Sequence, residues 1–337
     1  MNMTAALAMN RREFFPRWTA QRSSPPRRSE VVIARRAMSC EFSVCMPVSP
    51  RSTVQAGCAA LDEVERIERK LSVYQEESEL SLVNRSAAGQ AVRLGDELYR
   101  LLRHAARIGA ATGGAFDCTT GALVKAWGFY RGPRRAPRTE EQRAALAASG
   151  WQNVRLDDEK RSIQFTASGL EFNLGAIGKG YAIDQALDVL RRRCGIQCAL
   201  MQGGRSSLKA IGAPPGEPRG WVIDIGGAHG ARIRLRLRDR ALGTSASDRQ
   251  FFVHQGHRYG HILDPRTGVP AGELLSASAI CPTATDADAL STAFFVMGSD
   301  AAQHYCREHP EVGAVLVAPG TEPRIIIEGA VDAEVLA

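Results

Sequence analysis

No stretch of the 337-residue chain approaches the ~18 unbroken apolar residues of a transmembrane helix, so no segment reads as a membrane span. The eight cysteines (Cys40, Cys45, Cys58, Cys118, Cys194, Cys198, Cys281 and Cys306) form no CxxC pair, and Cys194 and Cys198 have no matching histidines. A zinc finger is excluded. Scattered thiols of this kind fit buried positions in a reducing compartment, so the expected location is cytoplasmic. A complete export signal is missing as well. Arg11-Arg12-Glu13-Phe14-Phe15 has the outline of a twin-arginine signal, but Pro16-Arg17-Trp18-Thr19-Ala20-Gln21-Arg22 follows where ~7–15 apolar residues should stand.

The body of the chain also lacks charge of one sign. The net charge is +7, yet residues 1–36 hold eight arginines against Glu13 and Glu30, a surplus of six, which leaves about +1 for the remaining 301 residues. Nucleic-acid binding by the folded part is therefore not expected. Residues 1–30, rich in Arg, Ser and Pro, read as a basic, solvated, disordered tail ahead of a domain over 31–337, which has room for two intertwined subdomains.

What is present is ordinary globular material, 44% apolar and 23% charged. Strand signals at 31–34 and 40–46 precede an amphipathic helix over 53–71, with Val54, Cys58, Leu61, Val64, Ile67 and Leu71 on one side. Ser78 is placed to cap a short helix, and a third helix spans 96–112. Residues 131–143, with Pro133 and Pro137, read as an exposed loop running into a helix near 139–149. Beyond Cys194 strands dominate. The alternation Ile233, Leu235, Leu237 against Arg232, Arg234, Arg236 marks a strand whose arginines face solvent. Helices over 287–297 and 300–309 and strands at 314–317 and 324–327 close the chain. The mixture predicts an α+β fold of largely antiparallel sheets with flanking helices.

Three stretches carry groups suited to chemistry. Phe172-Asn173-Leu174-Gly175-Ala176-Ile177-Gly178-Lys179-Gly180-Tyr181-Ala182-Ile183-Asp184 joins a strand signal at 162–165 to a helical pattern that ends in Arg191-Arg192-Arg193 before Gly195. Glycines at such a junction let N–H groups approach an anion, and Lys179 adds a point charge. The spacing from Gly175 to Lys179 is too short for a P-loop, and Gly180 stands where Ser or Thr would follow. On these residues alone, an anion site and tight helix–sheet packing are equally open. In Tyr259-Gly260-His261-Ile262-Leu263-Asp264-Pro265-Arg266-Thr267-Gly268-Val269-Pro270, the Asp-Pro and Thr-Gly-x-Pro turns would hold His261 and Asp264 rigid. His261 is then a general-base candidate. Asp288 and Thr292, at i and i+4, share a helix face and could hold Mg²⁺ through oxygen. The structural alternative has Asp286 capping the helix, Asp288 favouring its positive end and Thr292 in the core.

Taken in order, the motifs resemble the FAD:protein FMN transferases, the ApbE family, over about residues 31–330. They are Met38 before a strand; Leu71-Ser72-x-Tyr74 with Ser78-Glu79-Leu80-Ser81 and Asn84; Gly114-Ala115-Phe116-Asp117; the 174–184 stretch; Gly203-Gly204; the turn from His261 to Pro270; and Ala287-Asp288-Ala289-Leu290-Ser291-Thr292-Ala293. The resemblance implies Mg²⁺-dependent transfer of FMN from FAD to a Thr or Ser hydroxyl of an acceptor flavoprotein, with AMP leaving. It implies Mg²⁺ on the Ala176 carbonyl, Asp288 and Thr292. FAD would touch Met38, Tyr74, Ala115, Phe116, Asp117, Asn173 and Lys179, and His261 would stand at the reacting phosphate with Asp264 beside it in the turn. The alternatives are a FAD-binding paralogue without transfer and a Mg²⁺-dependent FAD pyrophosphatase giving FMN and AMP. The chain departs from the family pattern at Ser39-Cys40 (commonly Gly-Thr), Asn173 (often Asp), Arg205 (often Asp or Asn) and Thr244-Ser245-Ala246 (usually Thr-Ser-Gly).

Overall fold

The first described element is a hairpin whose turn residues, Met38 and Ser39, both take positive φ (48° and 61°). That is the two-residue turn whose twist matches its strands, built here without the glycine or asparagine that favours it. The computed structural model describes residues 30–51, 53–226, 232–246 and 250–336. All of the expected basic tail except Glu30 lies outside these residues.

In chain order the first half contains β1 (Glu30–Ala37), β2 (Cys40–Pro47), α1 (Val54–Leu71), α2 (Glu79–Ser86), β3 (Val92–Arg93), α3 (Asp96–Ala111), α4 (Gly121–Ala126), α5 (Thr139–Ala148), β4 (Val154–Asp157), β5 (Ser162–Phe165) and α6 (Gly178–Arg192). The second half contains β6 (Ala199–Gly203), β7 (Ser207–Ile211), β8 (Trp221–Gly226), β9 (Arg232–Leu237), β10 (Ala241–Ala246), β11 (Phe251–His254), β12 (His257–Gly260), β13 (Ser276–Cys281), α7 (Ala284–Glu308), β14 (Gly313–Ala318), β15 (Arg324–Gly329) and β16 (Ala333–Leu336).

One eight-stranded sheet, ordered β1-β2-β6-β7-β10-β13-β14-β15, divides the molecule, and every neighbouring pair in it is antiparallel. The fold is α+β, as expected. Because side chains alternate across a strand, the two faces of the sheet can be built differently. One face presents small residues, among them Ala199, Ala241, Ala277, Ala279 and Ala314, to a core shared with α1, α6 and α7. The other presents Leu200, Leu208, Leu242, Ile280 and Val315 to the smaller sheet β16-β9-β8. Alanines on the first face let α7, itself lined by Ala284, Ala287 and Ala293, pack close.

Local signals account for the starts of α1 and α2. Thr53 caps α1 by accepting from the Ala56 N–H, and Ser78 caps α2 by accepting from the Ser81 N–H. Two expectations on faces and starts need correction. On α1 the buried stripe runs through Ala56, Gly57, Ala60, Leu61, Val64, Ile67 and Leu71, whereas Val54 is exposed and Cys58 only half-buried. α6 starts at Gly178 rather than near Ile183, so Lys179 and Gly180 lie in its first turn. The two expected C-terminal helices form α7, broken at Gly298, whose φ of 83° is not helical. The arginines of β9 alternate with buried Ile233, Leu235 and Leu237, and Arg234 forms a two-pronged pair with Asp224. Among the described residues no helix is long and apolar enough to cross a membrane.

Candidate functional site

A cavity of about 460 Å³ opens where eight separate segments meet, from the β1–β2 turn to the first turns of α7. Met38, Tyr74, Ala115, Phe116, Asp117, Asn173, Ala176, Lys179, His261, Asp288 and Thr292 all line it. Asp264 does not.

The inner end is organised around Asp288. Thr283 caps α7, accepting from the Asp286 N–H, so Asp286 is not the cap; its carboxylate instead meets His104 at 2.6 Å. Asp288 is buried near the positive end of that helix and accepts from the Gly180 N–H at 2.7 Å and from the Ser207 hydroxyl. Lys179 Nζ lies 3.9 Å from the same carboxylate. Burial pushes the Asp288 carboxyl above its usual range, while Lys179, Ser207 and Gly180 pull it back. The strand-to-helix junction and the start of α7 are thus in direct contact. Asp184, one turn after Gly180, completes the join: it accepts from the Ala284 N–H at 3.0 Å, the Thr285 N–H at 2.8 Å and Lys209 Nζ at 2.7 Å.

The oxygen donors at this end suit a hard cation. Thr292 is half-buried, its hydroxyl 3.1 Å from the Ser245 hydroxyl, and Ala176 lines the same wall. Each Asp288 oxygen receives one donor, which leaves lone pairs for a metal. Among the described residues, no three His, Cys, Asp or Glu side chains converge into a metal cage. One carboxylate with neutral oxygens, open to a cavity, matches the way Mg²⁺ is held when phosphate and water complete its shell.

The outer wall is aromatic and rigid. Tyr74 is half exposed and stacks on Tyr130, with centroids 4.9 Å apart and planes 11° from parallel. Ala115 and Phe116 are buried, and Asp117 accepts from the Thr119 N–H at 2.7 Å while burial pushes its carboxyl up. Asn173 accepts from the Gly175 N–H at 2.9 Å, so this amide shapes the glycine bend directly. Lys179 also reaches the Gly175 carbonyl, at 3.4 Å.

His261 follows β12 and is fixed through Gln250, whose carbonyl accepts from the His261 backbone N–H at 3.0 Å and lies 3.1 Å from Nδ1. A carbonyl can only accept, so Nδ1 carries the proton and the lone pair of the neutral ring sits on Nε2. Asp264 turns the other way. Its carboxylate accepts from the Arg266 backbone at 2.9 Å and forms a two-pronged pair with the Arg266 guanidinium, and its carbonyl receives the Gly268 N–H at 2.8 Å. It shapes the turn rather than facing the cavity. Trp127 secures that turn from behind by donating from Nε1 to the Gly268 carbonyl at 2.9 Å.

The sequence does not single out Ser207, because nothing local distinguishes it, and Ser245 stands there only as part of Thr244-Ser245-Ala246 with no role. Ser207 meets Asp288 across 81 positions of chain. Asp184 lies inside the 174–184 stretch but carries no role there by sequence, and Arg205, one of the departures from the family pattern, lines the cavity.

The comparisons agree with this geometry. The sequence profile described as the ApbE family matches residues 38–316. A Treponema pallidum protein named FAD:protein FMN transferase is 32% identical over 287 residues, 79% of each chain. A Klebsiella pneumoniae protein of the same name is 30% identical over 281 residues, 80% of this chain and 77% of that one. Among solved structures, the ApbE protein of Thermotoga maritima superposes with a TM-score of 0.78 at 30% identity, covering 89% of this chain and 97% of that one. The flavinyl transferase ApbE of Pseudomonas stutzeri does so at 0.78 and 27%, covering 89% and 94%. With the profile spanning most of the chain and its motifs gathered round one cavity, this protein belongs to the ApbE family.

Proposed function

We propose that this protein is a FAD:protein FMN transferase, using Mg²⁺ to move FMN from FAD to a Thr or Ser hydroxyl of an acceptor flavoprotein. The relatives of that name support the coarse activity. The observation that carries the finer reading is the contact between the glycine bend and α7, where the Gly180 N–H meets Asp288 at 2.7 Å with Lys179 alongside. The eight free cysteines support a reducing, cytoplasmic setting.

In this reading Ala176, Asp288 and Thr292 hold Mg²⁺, which supplies charge neutralisation at the diphosphate. Lys179 and the bend N–H groups orient the same diphosphate, and Tyr74 offers a ring face for stacking. His261 Nε2 accepts the proton of the acceptor hydroxyl, whose oxygen forms a new bond to the FMN phosphorus. The bond from that phosphorus to the bridging oxygen breaks, and AMP departs with the electron pair. Asp264 and Gln250 hold the His261 turn in register.

Incubating the protein with FAD, Mg²⁺ and a threonine peptide tests the reading. Covalent FMN on the peptide is expected. Free FMN with AMP would make the protein a pyrophosphatase, and intact bound FAD would make it a flavin carrier. Asp288→Ala should abolish metal-dependent turnover, and wild-type turnover by that variant would rule out the assigned metal site.

A further inference from the structure

In the transferase reading the cavity takes the dinucleotide, so the acceptor must be recognised outside it. The loop after α4 and the hairpin β11–β12 meet beside the mouth, where Phe129 packs on Phe252 with ring centroids 5.8 Å apart and Phe129 and His261 line the cavity. Lys125, in the last turn of α4, pairs with Glu171 at 2.5 Å, and in the loop Arg135 pairs with Glu141 at 2.7 Å and Arg138 with Glu141 at 2.9 Å. Arg131 and Arg134 differ. Both are exposed, and among the described residues neither has a carboxylate partner. Arg131 donates to the Tyr74 carbonyl at 2.9 Å and lies over the Tyr74 and Tyr130 rings at 5.8 and 5.3 Å. Arg134 donates to the Phe251 carbonyl at 3.2 Å and lies over Phe129 at 5.9 Å.

Tyr74 and Phe129 line the cavity, whereas Arg131 and Arg134 do not. Their guanidiniums are therefore held by a backbone hydrogen bond and a ring contact each beside the rings that wall the mouth, exposed and outside the cavity lining. Beside them the hairpin turns Phe252 and Tyr259 inward onto Trp127 and leaves Phe251 and Val253, two residues apart on one face, 39% and 63% exposed. Arg258 covers the Phe251 ring at 3.9 Å. β12 then runs directly into His261.

We infer that this rim is the docking surface for the acceptor polypeptide, and that it selects a segment whose hydroxyl is flanked by carboxylates. The inference rests on the transferase reading. Two fixed guanidiniums without internal counter-ions attract acidic chain, while the exposed Phe251–Val253 face offers apolar contact beside the base. Opposite charges at a rim act mainly on encounter and selectivity, so the preference should weaken with salt.

The test uses two fluorescein-labelled peptides of equal length, one with a threonine flanked by aspartates and one flanked by asparagines, titrated with the FAD-loaded protein by fluorescence anisotropy. Wild type is expected to bind the aspartate peptide about tenfold more tightly at low salt, and a several-fold loss of that preference should follow on raising ionic strength. Arg131→Glu/Arg134→Glu should abolish the preference with FAD affinity unchanged, and Arg131→Lys/Arg134→Lys should keep most of it. Equal affinity for the two peptides, including no measurable binding of either, overturns the inference. So does a preference that survives double charge reversal, or wild-type binding to anionic phospholipid vesicles without any peptide preference. A charge-dependent preference without FMN transfer would leave the docking surface standing and strike the transferase reading alone.

Discussion

His261 illustrates how one residue acquires a role from its neighbours. A lone histidine is most often structural, but here a backbone carbonyl on Nδ1 sets the tautomer and leaves the basic nitrogen on the other side of the ring. His261→Ala should lower the transfer rate about 10²–10⁴-fold, the range for losing a positioned base, with FAD affinity within a few-fold of wild type. A large affinity loss with a normal rate at saturating FAD would make His261 a binding residue instead. Glu97 is a second residue defined by its partners. Arg66 above all, with Lys70, holds its carboxyl down to about 2 from an ordinary 4.5. A depressed carboxylate stabilises the fold above the unfolded value and loses that contribution as pH falls toward the folded value. Glu97→Gln should therefore cost about 1–2 kcal/mol at pH 7, discounted for the partly exposed Arg66 and Lys70. The deficit should shrink between pH 4.5 and 2, as read by denaturant unfolding at each pH.

At the scale of elements, the decisive event is the seating of α7. Its first turns are wedged between α6 and β10 at two places where no methyl fits. A Cβ on Gly180 would stand 1.9 Å from the Ala284 carbonyl oxygen, and one on Gly243 would stand 2.2 Å from that of Ala287. Both obstacles are backbone, so neither can swing aside. Gly180→Ala should destabilise the protein by about 1–3 kcal/mol and cut turnover at least tenfold, because α7 and Asp288 must move away from the bend. Thermal denaturation beside initial rates checks this. Unchanged turnover would mean that the contact does not set the site geometry.

The whole molecule separates the chemistry from much of its stability. The eight-stranded sheet is a partition: α1, α6 and α7, with Asp288 of the cavity, lie on its small-residue face, and the second core with β8, β9 and β16 lies on the other. Leu235, fully buried in that second core, can be tested in isolation. Leu235→Ala should cost about 2–5 kcal/mol while leaving FAD affinity unaltered, measured by chemical denaturation and flavin titration. Loss of FAD binding under native conditions would show that the partition transmits packing changes to the site.

The amphipathic stripes, the cap at Ser78, the alternation along β9 and the stretches bearing Lys179, His261 and Asp288 were legible because each depends on residues a few positions apart, where helix and strand periods act. The start of α6 was not, since Gly178 and Gly180 are poor helix formers, and Gly180 is required there because α7 leaves no room for a side chain. The hairpin β11–β12 escaped notice because Phe251-Phe252-Val253 shows no polar alternation. Ser207 and Asp184 were silent as partners because their contacts span 81 and about 100 residues. Sequence alone thus determined which residues were chemically capable and which short elements carried them, since propensity and period are local properties. Only the tertiary structure decided that Asp288 faces the glycine bend, that Asp264 serves the turn and that Arg131 and Arg134 face outward, because those outcomes follow from close packing between segments remote along the chain.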